Sequence, residues 1–405
     1  MKVQEGQYTL KVAIITDSFP PLKNSGAIQI RDLSIEFVRQ GHEVVVITPS
    51  SEIINPYLLS EMDKVKVLKL KAPKIKDVGY VRRAIGEYFM PFIMIRHLKR
   101  NSLIENNLDG IITYAPSIFL GPLAKMLKKK NKCKNYLILR DIFPQWVVDV
   151  GLLSNYGLPY YLLKRVERYL YSTAEIIGVQ TPANLKYFKE NLIYRKSRIE
   201  VLQNWLAENK RKKCRIVIGK TKLKGRKIFV YAGNMGIAQG LSVFIDLAEN
   251  LSTQRNIGFL FVGRGDAVVS LRQDVKARAL DNVIIYDEID PQEIHTLYQQ
   301  CDVGIISLDR RHKTHNIPGK FLSYMQSGLP VLAAINSGND LEHIIKNNKV
   351  GCVSTNHSVG VLKKLVEEIL GNVLSDDGTK NRCVNLFKDM FSPKKAVEQI
   401  INGLV

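Results

Sequence analysis

Cysteine is scarce in this chain of 405 residues and never paired: Cys133, Cys214, Cys301, Cys352 and Cys383 stand singly, with no Cys-x-x-Cys. An odd, dispersed set argues against a disulfide framework or a zinc site and fits a reducing compartment. Each reads as a small buried residue. Acidic residues are outnumbered, 38 Asp and Glu against 59 Lys and Arg, which leaves a net charge of +21. Such a balance favours an anionic partner: nucleic acid, an acidic lipid surface or a phosphorylated substrate. No apolar run approaches the roughly 18 residues that a membrane span needs, so any membrane contact is expected to be peripheral. The opening Met-Lys-Val-Gln-Glu-Gly-Gln lacks a signal-peptide core, and the expected location is cytoplasmic. Also missing are G-x-G-x-x-G, a Walker loop, a Ser/His/Asp set and any metal-ligand cluster. Without a D-x-D-type acidic pair, no essential metal and no cofactor are expected. There is no short repeat, helix-turn-helix or zinc finger, and the basic residues are dispersed, which argues against a nucleic-acid partner.

What is present is an alternation of strand and helix signals. The length is comfortable for two domains of roughly 150 residues each. Leu10–Thr16 reads as a buried parallel strand, then a Pro- and Gly-containing loop over Asp17–Ala27, a helix from about Ile28 to Gln40, and a strand over Val44–Thr48. Further βα units follow to Trp205. Ala207–Lys227 is crowded with lysine and arginine and reads as a linker. A second βα series starts at Ile228 and ends with a helix over Pro393–Leu404. The expected class is α/β, two doubly wound domains with a cleft between them. The expected boundaries are 1–205, a basic linker 206–227, a second domain 228–385, and a C-terminal segment 386–405 packing back on the first domain. Ala84–Leu98 is an apolar, aromatic-rich helix with Arg82, Arg83, Arg96, Lys99 and Arg100 around it. That suits either a core helix with solvated ends or adsorption to an anionic bilayer.

Several residues could carry chemistry. Gly233, Gly236 and Gly240 lie between a strand and a helix, where glycine lets backbone N–H groups approach an anion; an unliganded tight turn uses the same residues. Gly263-Arg264-Gly265 repeats the device and adds a guanidinium suited to phosphate oxygens. His315–Pro330 reads as a short helix with Pro318 in its first turn, Gly328 closing it and Pro330 forbidding continuation. Phe321, Leu322 and Met325 fall on its apolar side; Lys320, Ser323, Tyr324 and Ser327 on its polar side. Arg310, Arg311, Lys313 and Lys320 cluster at its start as a diphosphate site or as ordinary surface charge. Asp141, after the strand Tyr136–Leu139, could orient an acceptor hydroxyl or act as a base, or cap a turn. His315 is an imidazole beside the basic cluster or a surface residue.

The Asp17–Ala27 loop, with Ser25 and Gly26, followed by Gly41-His42-Glu43-Val44, resembles the N-terminal domain of family 4 (GT-B fold) retaining glycosyltransferases. Tyr231–Gly236, Phe261–Gly265 and Ile317–Val331 resemble their C-terminal domain, the last its donor-site helix. Leu139–Trp146 and Pro318-Gly319-Lys320-Phe321 look most like the N-acetyl-L-fucosamine transferases of O-antigen and capsule assembly. The resemblance implies a UDP-sugar donor in the C-terminal domain, with Ser25, Gly26, Gly233, Asn234, Gly236, Gln239, Arg264, Gly319 and Ser323 binding it. Asp141, His315 and Lys320 would be catalytic. A polyprenyl-diphosphate-linked saccharide would be the acceptor, at the inner face of the membrane. GT-B epimerases and phosphorylases share the fold. The family's two acidic residues eight apart become His315 and Ser323 here, and the usual arginine and lysine of the first C-domain loop become Asn234 and Gln239. Lys320 and Arg264 are therefore the expected diphosphate cations.

Overall fold

The computed structural model describes residues 9–22, 24–75, 78–103, 106–149, 151, 153–190, 197–208, 211–236, 239–309 and 317–405. They form two compact units, Met1–Gln203 with Pro393–Val405 and Asn204–Ser392.

The first unit is built on β1 (Lys11–Ile15), β2 (Glu43–Ser50), β3 (Tyr57–Met62), β4 (Val65–Lys71), β5 (Gly110–Ala115), β6 (Lys134–Leu139), β7 (Ile176–Val179) and β8 (Arg198–Val201). Their order is β3-β4-β2-β1-β5-β6-β7-β8, parallel except where β3 meets β4. Val12, Ala13 and Ile14 are wholly buried, as central parallel strands with both faces covered require. The chain moves outward from β1 on one side and returns to β5 on the other, so a topological switch lies beside β1, where such sheets bind ligands. The α-helices between the strands are α1 (Ser25–Arg39), α2 (Tyr80–Arg100), α3 (Gly121–Asn131), α4 (Gln145–Asp149), α5 (Leu158–Tyr171) and α6 (Pro182–Glu190). Asn24 caps α1 by accepting from the Ala27 N–H at 2.8 Å, so the helix opens at Ser25, three residues before the expected start at Ile28. The edge strand β3 gave no periodic signal because its residues are almost all exposed. It is set by the two-residue turn Asp63-Lys64, both at positive φ.

The second unit holds β9 (Lys227–Ala232), β10 (Ile257–Val262), β11 (Val283–Tyr286), β12 (Val303–Ser307), β13 (Val331–Ala334) and β14 (Gly351–Ser354). All are parallel, in the order β11-β10-β9-β12-β13-β14, which puts a second switch beside β9. Its helices are α7 (Ser242–Asn250), α8 (Val268–Ala277), α9 (Ile294–Tyr298), α10 (Gly319–Gln326), α11 (Leu341–Asn348), α12 (Val359–Glu368) and α13 (Thr379–Leu386). The stretch read as a linker packs into this unit: Cys214, Ile216, Ile218 and Leu223 are buried in its core. Three of them alternate along the chain, a period-2 pattern that the surrounding lysines and arginines obscure. Arg215 N–H donates to Glu293 Oε2 at 2.7 Å and Leu206 N–H to the Phe391 carbonyl at 3.0 Å.

The last helix, α14 (Pro393–Leu404), belongs to the first unit. It buries Ala396, Val397, Ile400 and Leu404 against α1 and β6. A Cβ on Gly110 would stand 2.7 Å from Leu404 Cδ1, so the strand is bare where the helix crosses it.

Candidate active site

In the second unit the site forms at the carboxyl ends of β9 and β10. Gly233 (φ +140°), Gly263 (φ +158°) and Gly265 (φ +141°) make these two loops interlock. A Cβ on Gly263 would lie 1.8 Å from the Gly233 carbonyl oxygen, and one on Gly265 2.6 Å from the Met235 carbonyl. The close approach allows Gly233 N–H to donate to Val262 O (2.9 Å) and Met235 N–H to Arg264 O (2.7 Å). Gln239 then closes the first loop: its Oε1 accepts from Gly236 N–H (2.9 Å) and Asn234 Nδ2 (3.2 Å). Ser307 Oγ, at the end of β12, donates to the Gln239 carbonyl at 2.5 Å. Asn234 and Gln239, which stand where the resemblance expects two cations, thus hold the loop's shape.

α10 brings the cation. Phe321, Leu322 and Met325 are buried, as their spacing predicts, and Gly328 closes the helix at φ +71°. Two details differ from the sequence reading. Pro318 is the N-cap residue, one position before the first turn. Tyr324, read as part of the polar side, is wholly buried, and its hydroxyl lies 3.0 Å from Val230 O and 3.2 Å from Ile305 O. A hydroxyl at the tip of a long apolar body can be buried where such carbonyls meet it. Lys320 leaves the first turn toward Gly233. Its Nζ donates to Tyr231 Oη at 3.0 Å and stands 4.4 Å from that ring's centroid. A Cβ on Gly233 would sit 3.5 Å from Lys320 Cε. Tyr231 in turn donates to the Asn234 carbonyl at 2.5 Å, so β9, the loop and α10 share one polar chain. Among the described residues no carboxylate pairs with Lys320. Desolvation therefore dominates and lowers its pKa to about 8; the aromatic face does not offset it. A phosphate would supply the missing countercharge.

The other expected donor residues are placed less centrally. The Arg264 side chain is exposed and pairs with the exposed Glu288 at 3.2 Å, a contact that solvent screens. Ser323 Oγ back-bonds weakly to the Gly319 carbonyl at 3.4 Å. Gly319 is exposed, with open space where a Cβ would be. His315, with Arg310, Arg311 and Lys313, lies outside the described residues.

Ser25, Gly26 and Asp141 lie in the first unit, around its own switch point. Gly26 opens α1 against the Tyr114 ring, with a Cβ position 3.2 Å from Tyr114 Oη. Ser25 Oγ accepts from Arg140 Nη2 at 2.9 Å. Asp141 follows Arg140 and lines a cavity of about 620 Å³ with Asp17, Arg83, Glu87, Phe143 and Leu163. Both α2 and α5 border this cavity. On α2, Met90, Met94 and Leu98 enter the core, while Ile85, Tyr88, Phe89 and Phe92 are exposed on another face, with Arg96 and Lys99 in line with them. On α5, Leu158, Tyr161, Leu162 and Tyr169 are exposed beside Arg165 and Arg168. Neither the aromatic surface of α5 nor the roles of Tyr231 and Tyr114 can be told from the sequence pattern. Each of the two tyrosines sits in an apolar strand, where it looks like any other core residue.

Residues 216–385 match the family model for glycosyl transferases group 1, a span that includes both glycine loops and α10. The probable glycosyltransferase WbjE of Pseudomonas aeruginosa is 24% identical over 318 residues, covering 78% of each chain. The sucrose-phosphate synthase of Thermosynechococcus elongatus superposes with a TM-score of 0.68 at 14% identity, over 97% of this chain and 98% of its own. HepE of Anabaena, solved with UDP and glucose, does so at 0.63 and 13% identity, over 98% and 99%. The fold is GT-B. Within this GT-B chain, the family match and the relative support a glycosyltransferase. The residues just described as Lys320, Tyr231 and Gly233 all fall inside the matched span.

Proposed function

We propose that this chain is a retaining glycosyltransferase that uses a UDP-sugar. The observation that carries the reading is the Lys320 ammonium, desolvated over Tyr231 and unpaired by any described carboxylate, beside the bare backbone of Gly233 at the β9 switch point. That arrangement suits a diphosphate leaving group, whose charge grows as the sugar departs. HepE and the trehalose-phosphate synthase of Burkholderia xenovorans are described as a UDP complex and a UDP-forming enzyme, which supports uridine as the base. Catalysis would be positioning plus charge stabilisation, with transfer on one face of the sugar and no protein nucleophile. In this reading the Ser323 hydroxyl stands in for a ribose-binding carboxylate, and Asp141 orients the acceptor hydroxyl or takes its proton. His315 would reach the donor sugar. No essential metal is included, since the sequence holds no D-x-D pair.

The acceptor in this reading is a polyprenyl-diphosphate-linked saccharide of surface polysaccharide assembly, and the sugar N-acetyl-L-fucosamine, as the motifs around Arg140 and Pro318 favour. The exposed aromatic and basic faces of α2 and α5, either side of the Asp141 cavity, support approach to an anionic membrane surface from the cytoplasmic side. A thermal-shift screen across UDP-, GDP- and TDP-sugars tests the donor class, and NMR of the product tests retention. Stabilisation by UDP-sugars and an unchanged anomeric configuration are expected. Stabilisation by none of the nucleotides, or an inverted product, would sink the reading.

A further inference from the structure

Among the described residues, Arg140 is held by three neutral groups and by no acid. Its Nη1 donates to Gln29 Oε1 (3.2 Å) and to Tyr114 Oη (3.2 Å), and its Nη2 to Ser25 Oγ (2.9 Å). Tyr114 Oη–H donates to Gln29 Oε1 at 3.1 Å and the residue is wholly buried; burial raises its pKa, so the phenol stays neutral. Among the described residues Arg140 forms no ion pair. A guanidinium has five N–H donors. Three are committed here, so the Nε–H and one Nη2–H remain for a ligand. Arginine held only by neutral acceptors keeps its full charge while its orientation is fixed in advance. Fixing the guanidinium in advance costs folding stability and lowers the ordering cost when an anion arrives. Asp17 and Asp141 lie close enough to act on the Tyr114 hydroxyl, yet both face the 620 Å³ cavity, which Arg140 does not line. Arg140 instead reaches toward Ser25 and Gly26, on the α1 side.

We infer that Arg140 is an anion-binding residue that receives a phosphoryl group beside Ser25. This rests on the glycosyltransferase reading for the identity of the phosphate, which belongs either to the nucleotide donor or to the lipid carrier. Titration calorimetry on the full chain distinguishes the two, with UDP and farnesyl diphosphate as separate probes and inorganic pyrophosphate as a third. Arg140→Gln is expected to weaken one of the two diphosphates at least tenfold, and pyrophosphate with it. Arg140→Lys, which keeps the charge but not the oriented fork, is expected to lose part of the binding and at least threefold less than Arg140→Gln. Weakened UDP binding assigns the site to the donor; weakened farnesyl diphosphate binding assigns it to the carrier. The inference is overturned if Arg140→Gln binds every probe as before, or if the Gln and Lys variants lose binding equally, since that would make the residue a structural tie. If the natural protein binds neither UDP nor farnesyl diphosphate, the proposed function fails, and the pyrophosphate arm still decides the role of Arg140: tenfold loss upholds it, no binding or no loss refutes it.

Discussion

Lys320 was legible in the sequence as a cation at a helix start, but its consequence was not. Only the fold shows that Tyr231 and Gly233 enclose it, and the sign of its pKa shift follows from that enclosure. With a folded pKa of about 8, below the ordinary lysine value, the native state sheds this proton before the unfolded chain does. Stability of the ligand-free protein should therefore rise between about pH 8 and pH 10 from this group. Donor binding should move the other way, because only the ammonium form attracts a diphosphate. The kcat/KM for donor is expected to fall with rising pH through about 8, and Lys320→Arg should move that limb upward beyond the measured range. A limb unmoved by the arginine would assign the titration elsewhere. Gly263 tests the loop beneath it. A methyl group 1.8 Å from the Gly233 carbonyl cannot be accommodated without parting the loops. Gly263→Ala should cost on the order of 3 kcal/mol or more in a denaturant melt, along with donor binding. A variant as stable as the natural protein would show that the loops are not locked as described.

At the scale of elements, sequence periodicity found most helices and buried strands because each has one apolar face. It missed β3, α4 and α13, which are short, largely exposed or mixed, and it misplaced Tyr324, which a helical wheel sets about 40° from Lys320, at the edge of the apolar side. The carbonyls of β9 and β12 make it a core residue. For α2, one face enters the core and another, aromatic and flanked by basic residues, stays exposed; whether that exposed face adsorbs to a bilayer is decided by a vesicle test. A double variant Phe89→Glu, Phe92→Glu removes exposed side chains only, so its thermal melt should be unchanged. Its sedimentation with anionic phospholipid vesicles should fall at least tenfold, since burying each phenylalanine is worth roughly 2 kcal/mol and the new charges repel the surface. Natural and variant protein sedimenting alike would remove the membrane surface from the account.

At the scale of the whole molecule, the GT-B class was readable from two strand–helix series and their glycine turns. The segment before β9 was not, because its buried Cys214, Ile216 and Ile218 are hidden among basic residues. The closing helix was placed to the residue. α14 covers the edge of α1 and β6 with Val397 and Ile400, both wholly buried. Ile400→Asp should destabilise the first unit by on the order of 4 kcal/mol in a melt, as an unpaired buried charge does; a neutral result would mean that α14 is dispensable to it. The proposed reaction is sugar transfer from a UDP donor, with Lys320 holding the departing diphosphate. It is tested most directly by timed release of UDP and growth of the saccharide, with UDP-N-acetyl-L-fucosamine, a polyprenyl-diphosphate-linked acceptor, and the natural and Lys320→Ala proteins side by side. Acceptor-dependent UDP release with matching product is expected, lowered at least a hundredfold by Lys320→Ala, as loss of a charge that stabilises the transition state would do. Equal turnover by the two proteins, or no transfer from any UDP-sugar, would contradict it.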